Sequence, residues 1–498
     1  MGQFATPSPL ARDMLTCASR LLARSVDIRF LYPALGSGTF YSALIETFDR
    51  RRIVKSVGYE IDSLYATAAK GLWGAFPLEI HVEDFTEGQP PQSEDDRFNL
   101  IVCNPPYVRH HHLSTSTKDR LTEAVRIRSG IKTNGLSGLY CYFLLLCHGW
   151  LSKNGIGLWL IPSEFMDVNY GRAMKEYLLD SVTLLRIHRF GARSVQFEDA
   201  LVSSAIVILK KKKPTRNHVV RFTYGASLLC PERSVSVERP LLATKPKWTT
   251  LSLKGPRKAK NSPTIADFFT VKRGLATGAN SFFILSEQEI QKRNLPRCFF
   301  RPILPSPRFL ESDELEADAF GNPIIEKRLF LLDCGIPVAD LKVRYPSLYK
   351  YLESGKPGVA KGYLCQRRKP WYAQESREPS PFLCTYMGRK DTKRGRPFRF
   401  ILNHSRATAT NVYLLLYPRR IVSSAMAKDP DLARKMLAVL NNLHLDDLLR
   451  EGRFYGGGLH KLEPRELGRV PALGLVPLVP GFRATRADQM ELFAAPAR

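Results

Sequence analysis

One short segment of the sequence, IVCNPPYVRHH at residues 101–111, runs from apolar residues into a polar turn. Proline offers no N–H group to a sheet, so the pair Pro105 and Pro106 cannot continue a central strand. The pattern therefore predicts a buried strand that ends in a rigid turn. This turn carries the side-chain amide of Asn104 and the ring of Tyr107, which are groups that can hydrogen-bond to a planar ligand and stack on it.

A glycine-rich loop follows an earlier predicted strand. In the segment LYPALGSGTF, apolar residues lead into Gly36, Ser37 and Gly38, and a helical pattern begins directly afterwards. Glycines let the backbone approach a ligand closely, and the N-terminus of a helix favours negative charge. The loop alone is only weak evidence for a nucleotide-like cofactor.

Two more predicted strands end in acidic residues. Glu60 follows Gly36 at close to the roughly 20-residue offset at which a carboxylate reaches ribose hydroxyls in dinucleotide-binding folds. The next strand ends in Asp84 and Phe85, which offer an acceptor for an adenine amino group and a face for its ring. Four successive strand ends thus carry polar or aromatic groups at the edge where open α/β sheets bind ligands.

The first 213 residues alternate strand-like and helical segments. The predicted strands are DIRFLYPAL, IVKSVGYEI, LEIHVEDF, FNLIVCNPPY, GIGLWLIP, LLRIHRF and SSAIVILK, and the predicted helices are SPLARDMLTCASRLLARS, LYATAAKGLWGA, GLYCYFLLLCHGWLSK and GRAMKEYLLDS. This alternation predicts an α/β fold with a mostly parallel, doubly wound, Rossmann-like sheet. We expect a catalytic domain over residues 1–213, a linker over 214–264, a mixed, β-rich domain over 265–485 and a tail over 486–498.

The composition favours a polyanionic partner. Lys and Arg number 74 against 47 Asp and Glu, which gives a net charge of +27. Nucleic acid is the first candidate, and an anionic membrane surface is the second. The nine cysteines are scattered without CxxC pairs, so we expect a reducing cytoplasm and neither zinc nor disulfides. We see no signal peptide and no apolar run long enough to span a membrane.

The ordered motifs resemble the gamma-class, TaqI-like N6-adenine DNA methyltransferases of restriction–modification systems, which use S-adenosyl-L-methionine. The resemblance covers the first 210 residues and includes GQFATPSPLARDM near the N-terminus. It implies that the cofactor is held by Thr6, Pro7, Ala34, Gly36, Ser37, Gly38, Glu60, Asp84 and Phe85. Within that set, the glycine loop would hold the methionine part, Glu60 the ribose, and Asp84 with Phe85 the adenine.

The resemblance also gives the Asn-Pro-Pro-Tyr turn a chemical role. An exocyclic adenine amine is a poor nucleophile, because its lone pair is delocalised into the ring. The side-chain carbonyl of Asn104 and the backbone carbonyl of Pro105 would accept its two N–H groups, with Pro106 helping to fix their direction. Tyr107 would stack on a base flipped from the duplex, and Phe197 in RSVQFEDALVSSAIVILK would cover its other face.

The sequence departs from the family pattern at Tyr32, where an acidic residue is usual. We expect either weaker cofactor binding or substitution through the Tyr32 hydroxyl. His110, His111 and His112 follow the catalytic turn, and consecutive histidines cannot all face one metal ion. We interpret them as loop contacts to phosphates or bases.

The second half of the chain decides between substrates that share the turn. Protein-glutamine and ribosomal-RNA adenine methyltransferases are typically much shorter, whereas VKRGLATGANSFFIL and RFYGGGLHKLEPRELGRVP resemble segments of gamma-class target-recognition domains. We therefore expect a site-specific DNA adenine methyltransferase that acts on double-stranded DNA as a monomer, with a cognate restriction endonuclease as a further partner. An RNA adenine methyltransferase and a catalytically idle DNA-binding protein are the alternatives.

Overall fold

The computed structural model describes residues 4–190, 203–252, 262–389, 395–455 and 458–482. The chain divides into two compact units, one of Met1–Leu253 with Phe454–Gly458 and one of Lys254–Arg453 with Leu459–Arg498. Among the described residues, no helix has both the length and the apolar character needed to cross a membrane.

A large mixed sheet forms the centre of the first unit. Its described strands are β1 (Ile28–Tyr32), β2 (Ile53–Tyr59), β3 (Glu79–His81), β4 (Phe98–Cys103), β5 (Leu151–Pro162), β6 (Thr183–Arg189), β7 (Ser204–Lys210), β8 (Val219–Tyr224) and β9 (Arg233–Glu238), in the order β3-β2-β1-β4-β5-β7-β6-β8-β9. Strands β1 to β5 run parallel to one another, and β7 runs antiparallel to β5 and β6. The chain order reverses between β1 and β4, which is where sheets of this kind bind ligands.

Helices cover both faces of this sheet, as the doubly wound prediction requires. The described helices are α1 (Ser8–Ser19), α2 (Thr39–Thr47), α3 (Ser63–Trp73), α4 (Thr115–Ser129), α5 (Leu139–Leu146), α6 (Arg172–Glu176) and α7 (Arg239–Ala243). Successive side chains of a strand point to opposite faces. On β4, Leu100 and Val102 accordingly pack in the apolar cluster that contains α1 and α2, whereas Ile101 and Cys103 pack in the cluster that contains α4 and α5.

The predicted linker differs from the structure. Residues 219–238 form β8 and β9, and β8 pairs parallel to β6 while β9 pairs antiparallel to β8. Alternate residues of these strands are exposed, so the hairpin has the polar texture of a loop although it extends the sheet. The main segment of the first unit therefore extends to Leu253, beyond the predicted end of the catalytic domain at Lys213. The helix predicted over 138–153 also ends early, at Leu146, because Leu151 already begins β5.

The second unit is mixed α/β, with several small sheets. Its described strands are β10 (Phe269–Arg273), β11 (Ile284–Leu285), β12 (Phe300–Leu304), β13 (Glu314–Leu315), β14 (Leu329–Leu332), β15 (Phe382–Thr385), β16 (Met387–Arg389), β17 (Phe400–Asn403), β18 (Thr408–Ala409) and β19 (Tyr413–Pro418), together with β21 (Leu459–Lys461). Its described helices are α8 (Ile265–Phe268), α9 (Asn280–Phe283), α10 (Glu287–Lys292), α11 (Val338–Arg344), α12 (Pro346–Gly355), α13 (Tyr363–Gln366), α14 (Arg420–Lys428), α15 (Leu432–Asn441), α16 (Leu445–Glu451) and α17 (Pro464–Gly468). The short strand β20 (Arg453–Tyr455) spans the point in the chain where the second unit gives way to residues of the first.

Two of these sheets carry the cores of the second unit. One has the order β10-β19-β15-β17-β13, and the other has the order β11-β14-β12-β18. On β19, Leu414 and Leu416 pack in the cluster that contains α15, while Tyr413 and Leu415 pack in a separate cluster. The prediction of a mixed second domain is confirmed.

Some of the basic side chains that were predicted to face a polyanion form hydrogen bonds within the second unit instead. Arg368 donates hydrogen bonds to the carbonyl oxygens of Ala276 and Thr277 at 2.6 and 2.8 Å. Its sequence neighbour Arg367 is exposed and lies over the Tyr363 ring at 4.3 Å. Of these two arginines, Arg367 is the one available to an anionic partner.

Candidate active site

A cavity of about 300 Å³ opens at the carboxyl ends of β1, β2, β3 and β4. Ten of the predicted cofactor and catalytic residues line it. Those ten are Thr6, Ala34, Gly36, Ser37, Glu60, Asp84, Phe85, Asn104, Pro105 and Pro106. The residues that the sequence placed at successive strand ends therefore converge on one pocket.

The glycine loop after β1 is held close to α3. Gly38 has a φ of +89°, and a Cβ atom added there would lie 2.2 Å from Nε1 of Trp73. That indole nitrogen donates to the carbonyl oxygen of Ser37 at 2.9 Å. Gly36 has a φ of +55°, and an added Cβ would meet nothing within 4 Å. The loop is thus fixed on the Trp73 side and leaves open space beside Gly36.

Glu60 lies just beyond β2 and is only 6% exposed. Its two carboxylate oxygens accept the backbone N–H groups of Gly36 at 2.7 Å and of Asp62 at 2.9 Å. Hydrogen bonds to a charged group are stronger than neutral ones, so they orient the carboxylate firmly. Glu60 therefore connects the end of β2 to the glycine loop, and each oxygen keeps further acceptor capacity for a ligand.

Asp84 and Phe85 lie in the turn after β3. The Asp84 carboxylate accepts the backbone N–H of Thr86 at 2.8 Å. Phe85 is 2% exposed, and its ring contacts Tyr59 and Trp150 with centroids 5.4 and 5.3 Å apart. The Phe85 ring is thus anchored in the core while it forms part of the cavity wall.

Arg120, which sequence reasoning missed, braces this turn from α4. Its guanidinium donates to the carbonyl oxygen and the hydroxyl of Thr86 at 3.2 and 3.0 Å. It also lies 3.6 Å from the Asp84 carboxylate and 3.4 Å from that of Glu87. The polar pattern of residues 115–129 gave no signal for a helix that contributes to the pocket.

Asn104 directly follows β4, and its side-chain amide nitrogen is fully engaged. Nδ2 donates to the carbonyl oxygen of Phe4 at 2.9 Å and to Oγ1 of Thr6 at 3.1 Å. Its Oδ1 atom is buried and has no hydrogen-bond partner in the part of the chain that the structure describes. A buried acceptor that is left unpaired costs about 1–3 kcal/mol of stability. Because Asn104 lines the cavity, a ligand that donates an N–H group there could satisfy this acceptor.

Tyr107 lies beside the cavity without being part of its lining. Its hydroxyl donates to the carbonyl oxygen of Leu160 at 3.2 Å, and its ring centroid lies 5.4 Å from that of Phe4. Pro106 lines the cavity, whereas Pro7 precedes α1 as its N-cap residue and does not. The predicted second stacking residue, Phe197, lies outside the described residues.

Tyr32 lines the cavity at the end of β1 and is 4% exposed. Burial raises the pKa of its hydroxyl, so the phenol is neutral at physiological pH. Tyr32 can offer a hydrogen bond but cannot replace the negative charge of the acidic residue that is usual at this position.

The three consecutive histidines form a short 3₁₀ turn shortly after the Asn-Pro-Pro-Tyr turn. The rings of His111 and His112 contact each other with centroids 4.2 Å apart, and none of the three is buried. Their contact with phosphates or bases remains a prediction.

Comparisons with known proteins assign both halves of the chain to one family. A family model described as "Eco57I restriction-modification methylase" matches residues 60–196. A second model, "Type II methyltransferase M.Eco57I, C-terminal domain", matches residues 248–490. The first match contains Asp84 and Asn104, and the second covers the described strands and helices of the second unit.

Two relatives align along most of the chain. The Type II methyltransferase M.XamI of Xanthomonas campestris pv. amaranthicola is 28% identical over 481 residues, which are 95% of this chain and 85% of that protein. The Type II methyltransferase M.AccI of Acinetobacter calcoaceticus is 26% identical over 503 residues, with the same coverage of 95% and 85%.

Two solved structures share the fold. The Type IIL restriction-modification enzyme MmeI, solved in complex with DNA, has a TM-score of 0.55 at 13% identity and covers 97% of this chain and 74% of that chain. The cryoEM structure of the DrdV–DNA complex has a TM-score of 0.52 at 13% identity, covering 96% and 56% respectively. At these identities the likeness concerns the fold alone.

The cavity suits S-adenosylmethionine, the methyl donor that this family implies. Its volume lies at the lower end of the range for small-molecule sites. The open space beside Gly36 has room for the methionine part of this ligand. The oriented carboxylate of Glu60 can accept hydrogen bonds from its ribose hydroxyls. Asp84 with Phe85 matches an amino-bearing ring. With this pocket in one unit and the matching C-terminal domain in the other, the chain belongs to the Eco57I-type DNA methyltransferases of restriction–modification systems.

Proposed function

We propose that this DNA methyltransferase methylates the exocyclic amine of adenine, N6, at a short sequence in duplex DNA. The observation that carries the proposal is the hydrogen bonding of the Asn104 side-chain amide. Both amide hydrogens are engaged by the N-terminal segment, and the buried Oδ1 has no partner among the described residues. A site that holds a carbonyl acceptor in this way is complementary to a ligand that donates an N–H group.

The chemistry follows from two acceptors held at one strand end. Asn104 Oδ1 and the backbone carbonyl of Pro105 would accept the two N–H groups of the target amine, which directs the nitrogen lone pair out of the ring plane. The two prolines fix the direction of these acceptors before the substrate arrives. S-adenosylmethionine, when bound, supplies the electrophilic methyl group. The amine proton leaves to solvent after transfer, so no general base is needed.

The target base must leave the duplex to reach these acceptors. Enzymes that modify a base in duplex DNA extrude it into a pocket and stack it on aromatic side chains. Tyr107 adjoins the catalytic turn and is braced by its hydrogen bond to Leu160. We propose that its ring stacks on the flipped adenine.

Three observations support DNA as the substrate. The chain has a net charge of +27. Its second half matches the C-terminal domain of a Type II methyltransferase, and MmeI and DrdV, which share its fold, were solved with DNA. We propose that the second unit selects the target sequence and that a restriction endonuclease cuts the same sequence when it is unmodified.

Competition between substrates tests the proposal. Purified protein is given labelled S-adenosylmethionine together with duplex DNA and ribosomal RNA. We expect the label on adenine N6 of the DNA, at one short sequence that modified-base sequencing of host DNA also reports. Label mainly in RNA would favour the RNA methyltransferase alternative. The absence of both cofactor binding and transfer would favour an idle DNA-binding protein.

A further inference from the structure

The described N-terminal residues Phe4 to Thr6 lie against the catalytic turn, and we name them the N-terminal strap. Both hydrogen bonds given for the Asn104 side chain go to this strap, to the Phe4 carbonyl and the Thr6 hydroxyl. The strap leads into Pro7, whose carbonyl oxygen accepts the N–H of Ala11 in the first turn of α1. Buried side chains of α1, such as Leu15, anchor that helix in the core. The strap is thus attached to a packed element.

The strap determines whether the nitrogen or the oxygen of the Asn104 side-chain amide faces the Phe4 carbonyl. A backbone carbonyl oxygen can only accept hydrogen bonds, so Phe4 requires the NH₂ group of Asn104 on its side. Turning the amide by 180° would place Oδ1 against the Phe4 carbonyl at the 2.9 Å now spanned by a hydrogen bond. Two acceptors would then face each other, and the hydrogen bond to Phe4 would be lost.

We infer that the strap is a positioning element that selects the amide orientation of Asn104, and that Thr6 is a positioning residue within it. The inference rests on the proposed function, in which Oδ1 accepts a hydrogen bond from the target amine. The hydroxyl of Thr6 contributes an acceptor from a side chain, so it can be altered by substitution, whereas the Phe4 carbonyl cannot. The side chain of Thr6 is 9% exposed and therefore held in place.

The variant Asn104→Asp tests the role of the Phe4 carbonyl. A carboxylate is a stronger acceptor for the target amine than an amide, so in the absence of the strap the variant should work at neutral pH. With the strap, one carboxylate oxygen faces the Phe4 carbonyl, which disfavours the charged form and raises the pKa of the introduced carboxyl. We expect kcat relative to wild type to fall at least 10-fold at neutral pH and to recover as the pH is lowered and that carboxyl becomes protonated.

Thr6 variants test the hydroxyl. Thr6→Val keeps the shape but removes the acceptor, and we expect kcat at saturating cofactor and DNA to fall about 10-fold, the loss of one such hydrogen bond. Thr6→Ser restores the acceptor and should recover most of the loss. Because Thr6 also lines the cavity, cofactor affinity is measured separately by calorimetry, so that a change in Kd is not mistaken for one in kcat.

A readout without turnover completes the test. In protein labelled with ¹⁵N-asparagine, the side-chain NH₂ signal of Asn104 is assigned by its loss in Asn104→Ala. We expect it to exchange slowly with solvent in wild type and faster in Thr6→Val. Unchanged exchange and unchanged kcat in Thr6→Val, or a ratio of Asn104→Asp to wild-type activity that does not vary with pH, would overturn the inference. Failure of the proposed function is distinguished because wild-type protein would then place no methyl group on adenine N6.

Discussion

At the residue scale, Asn104 combines a structural role with the proposed chemical one. Its amide nitrogen is used within the protein, and its buried amide oxygen has no hydrogen-bond partner among the described residues. Asn99, within the strand β4 that Asn104 follows, shows the contrast. Its Oδ1 accepts the N–H of Arg29 at 2.9 Å and its Nδ2 donates to the carbonyl of Asp27 at 2.6 Å, so both ends of that amide are used in the fold.

The two asparagines therefore make a matched pair. Asn104→Ala should lower kcat about 100-fold or more, by analogy with the loss of one preorganised catalytic hydrogen bond. Its affinity for S-adenosylmethionine should change little. Asn99→Ala should lower the melting temperature but leave the turnover of each folded molecule close to wild type. Steady-state kinetics, calorimetry and thermal unfolding of both variants check this, and near-full turnover in Asn104→Ala would refute the mechanism.

The two carboxylates of the pocket should show the reverse pattern. Glu60→Gln and Asp84→Asn each weaken a charge-assisted hydrogen bond worth about 1.5–3 kcal/mol, so we expect cofactor Kd to rise roughly 10- to 100-fold. At saturating cofactor, kcat should fall much less. Glu46→Gln is the control, because Glu46 is exposed and pairs with Arg12 on the surface. Unchanged calorimetric Kd in both pocket variants would mean that the cofactor binds elsewhere.

At the element scale, the helix α4 supports the wall of the pocket, although its polar sequence did not indicate this role. Arg120 braces the turn that carries Asp84, and two turns later Arg126 pairs only with Glu123 of the same helix in the interactions described. Arg120→Ala should raise the cofactor Kd several-fold, because the Asp84 turn loses its hydrogen bonds to the guanidinium. Arg126→Ala should leave Kd unchanged, since its exposed ion pair lies on the helix surface. Equal Kd values for the two variants would contradict the role of α4.

The same elements explain how much of the site was predictable from the sequence. Strand ends were predictable because a buried parallel strand is a continuous apolar run, and β4 stops where Pro105 removes a ladder donor. The helix α4 was not predictable, because only Leu121 and Val125 of its fifteen residues are buried. The hairpin of β8 and β9 was interpreted as a linker for a related reason, since its alternating exposed residues resemble a polar loop.

The contacts of the N-terminal strap were beyond sequence reasoning altogether. Thr6 was placed near the cofactor by resemblance, but its hydrogen bond to Asn104 joins positions far apart in the chain. No local pattern encodes such a contact, because it depends on how α1 packs against the sheet. Tyr107 illustrates the same limit, since its hydrogen bond to Leu160 depends on the pairing of β4 with β5.

At the scale of the whole molecule, the division into two units separates the pocket from most of the second half of the chain. The first unit includes β8 and β9, so a fragment that ends at Lys213 would remove two strands of its sheet. A fragment of residues 1–253 keeps the described elements of the pocket. The fragment that ends at residue 213 thus lacks two strands of the large sheet, whereas the fragment that ends at residue 253 keeps them. Both fragments lack the second unit.

The net charge of +27 gives the final prediction, which concerns DNA affinity and its salt dependence. Each phosphate neutralised on duplex DNA contributes about −0.9 to the slope of log K against log salt concentration. We expect the full chain to bind duplex DNA with a slope steeper than about −4, corresponding to roughly five or more phosphate contacts. The fragment of residues 1–253 should bind S-adenosylmethionine with near full-length affinity, yet lose sequence preference and most DNA affinity, with a shallower slope. Fluorescence anisotropy across a salt series measures both slopes. If the fragment matches the full chain in slope and preference, the second unit is not the part that recognises the target.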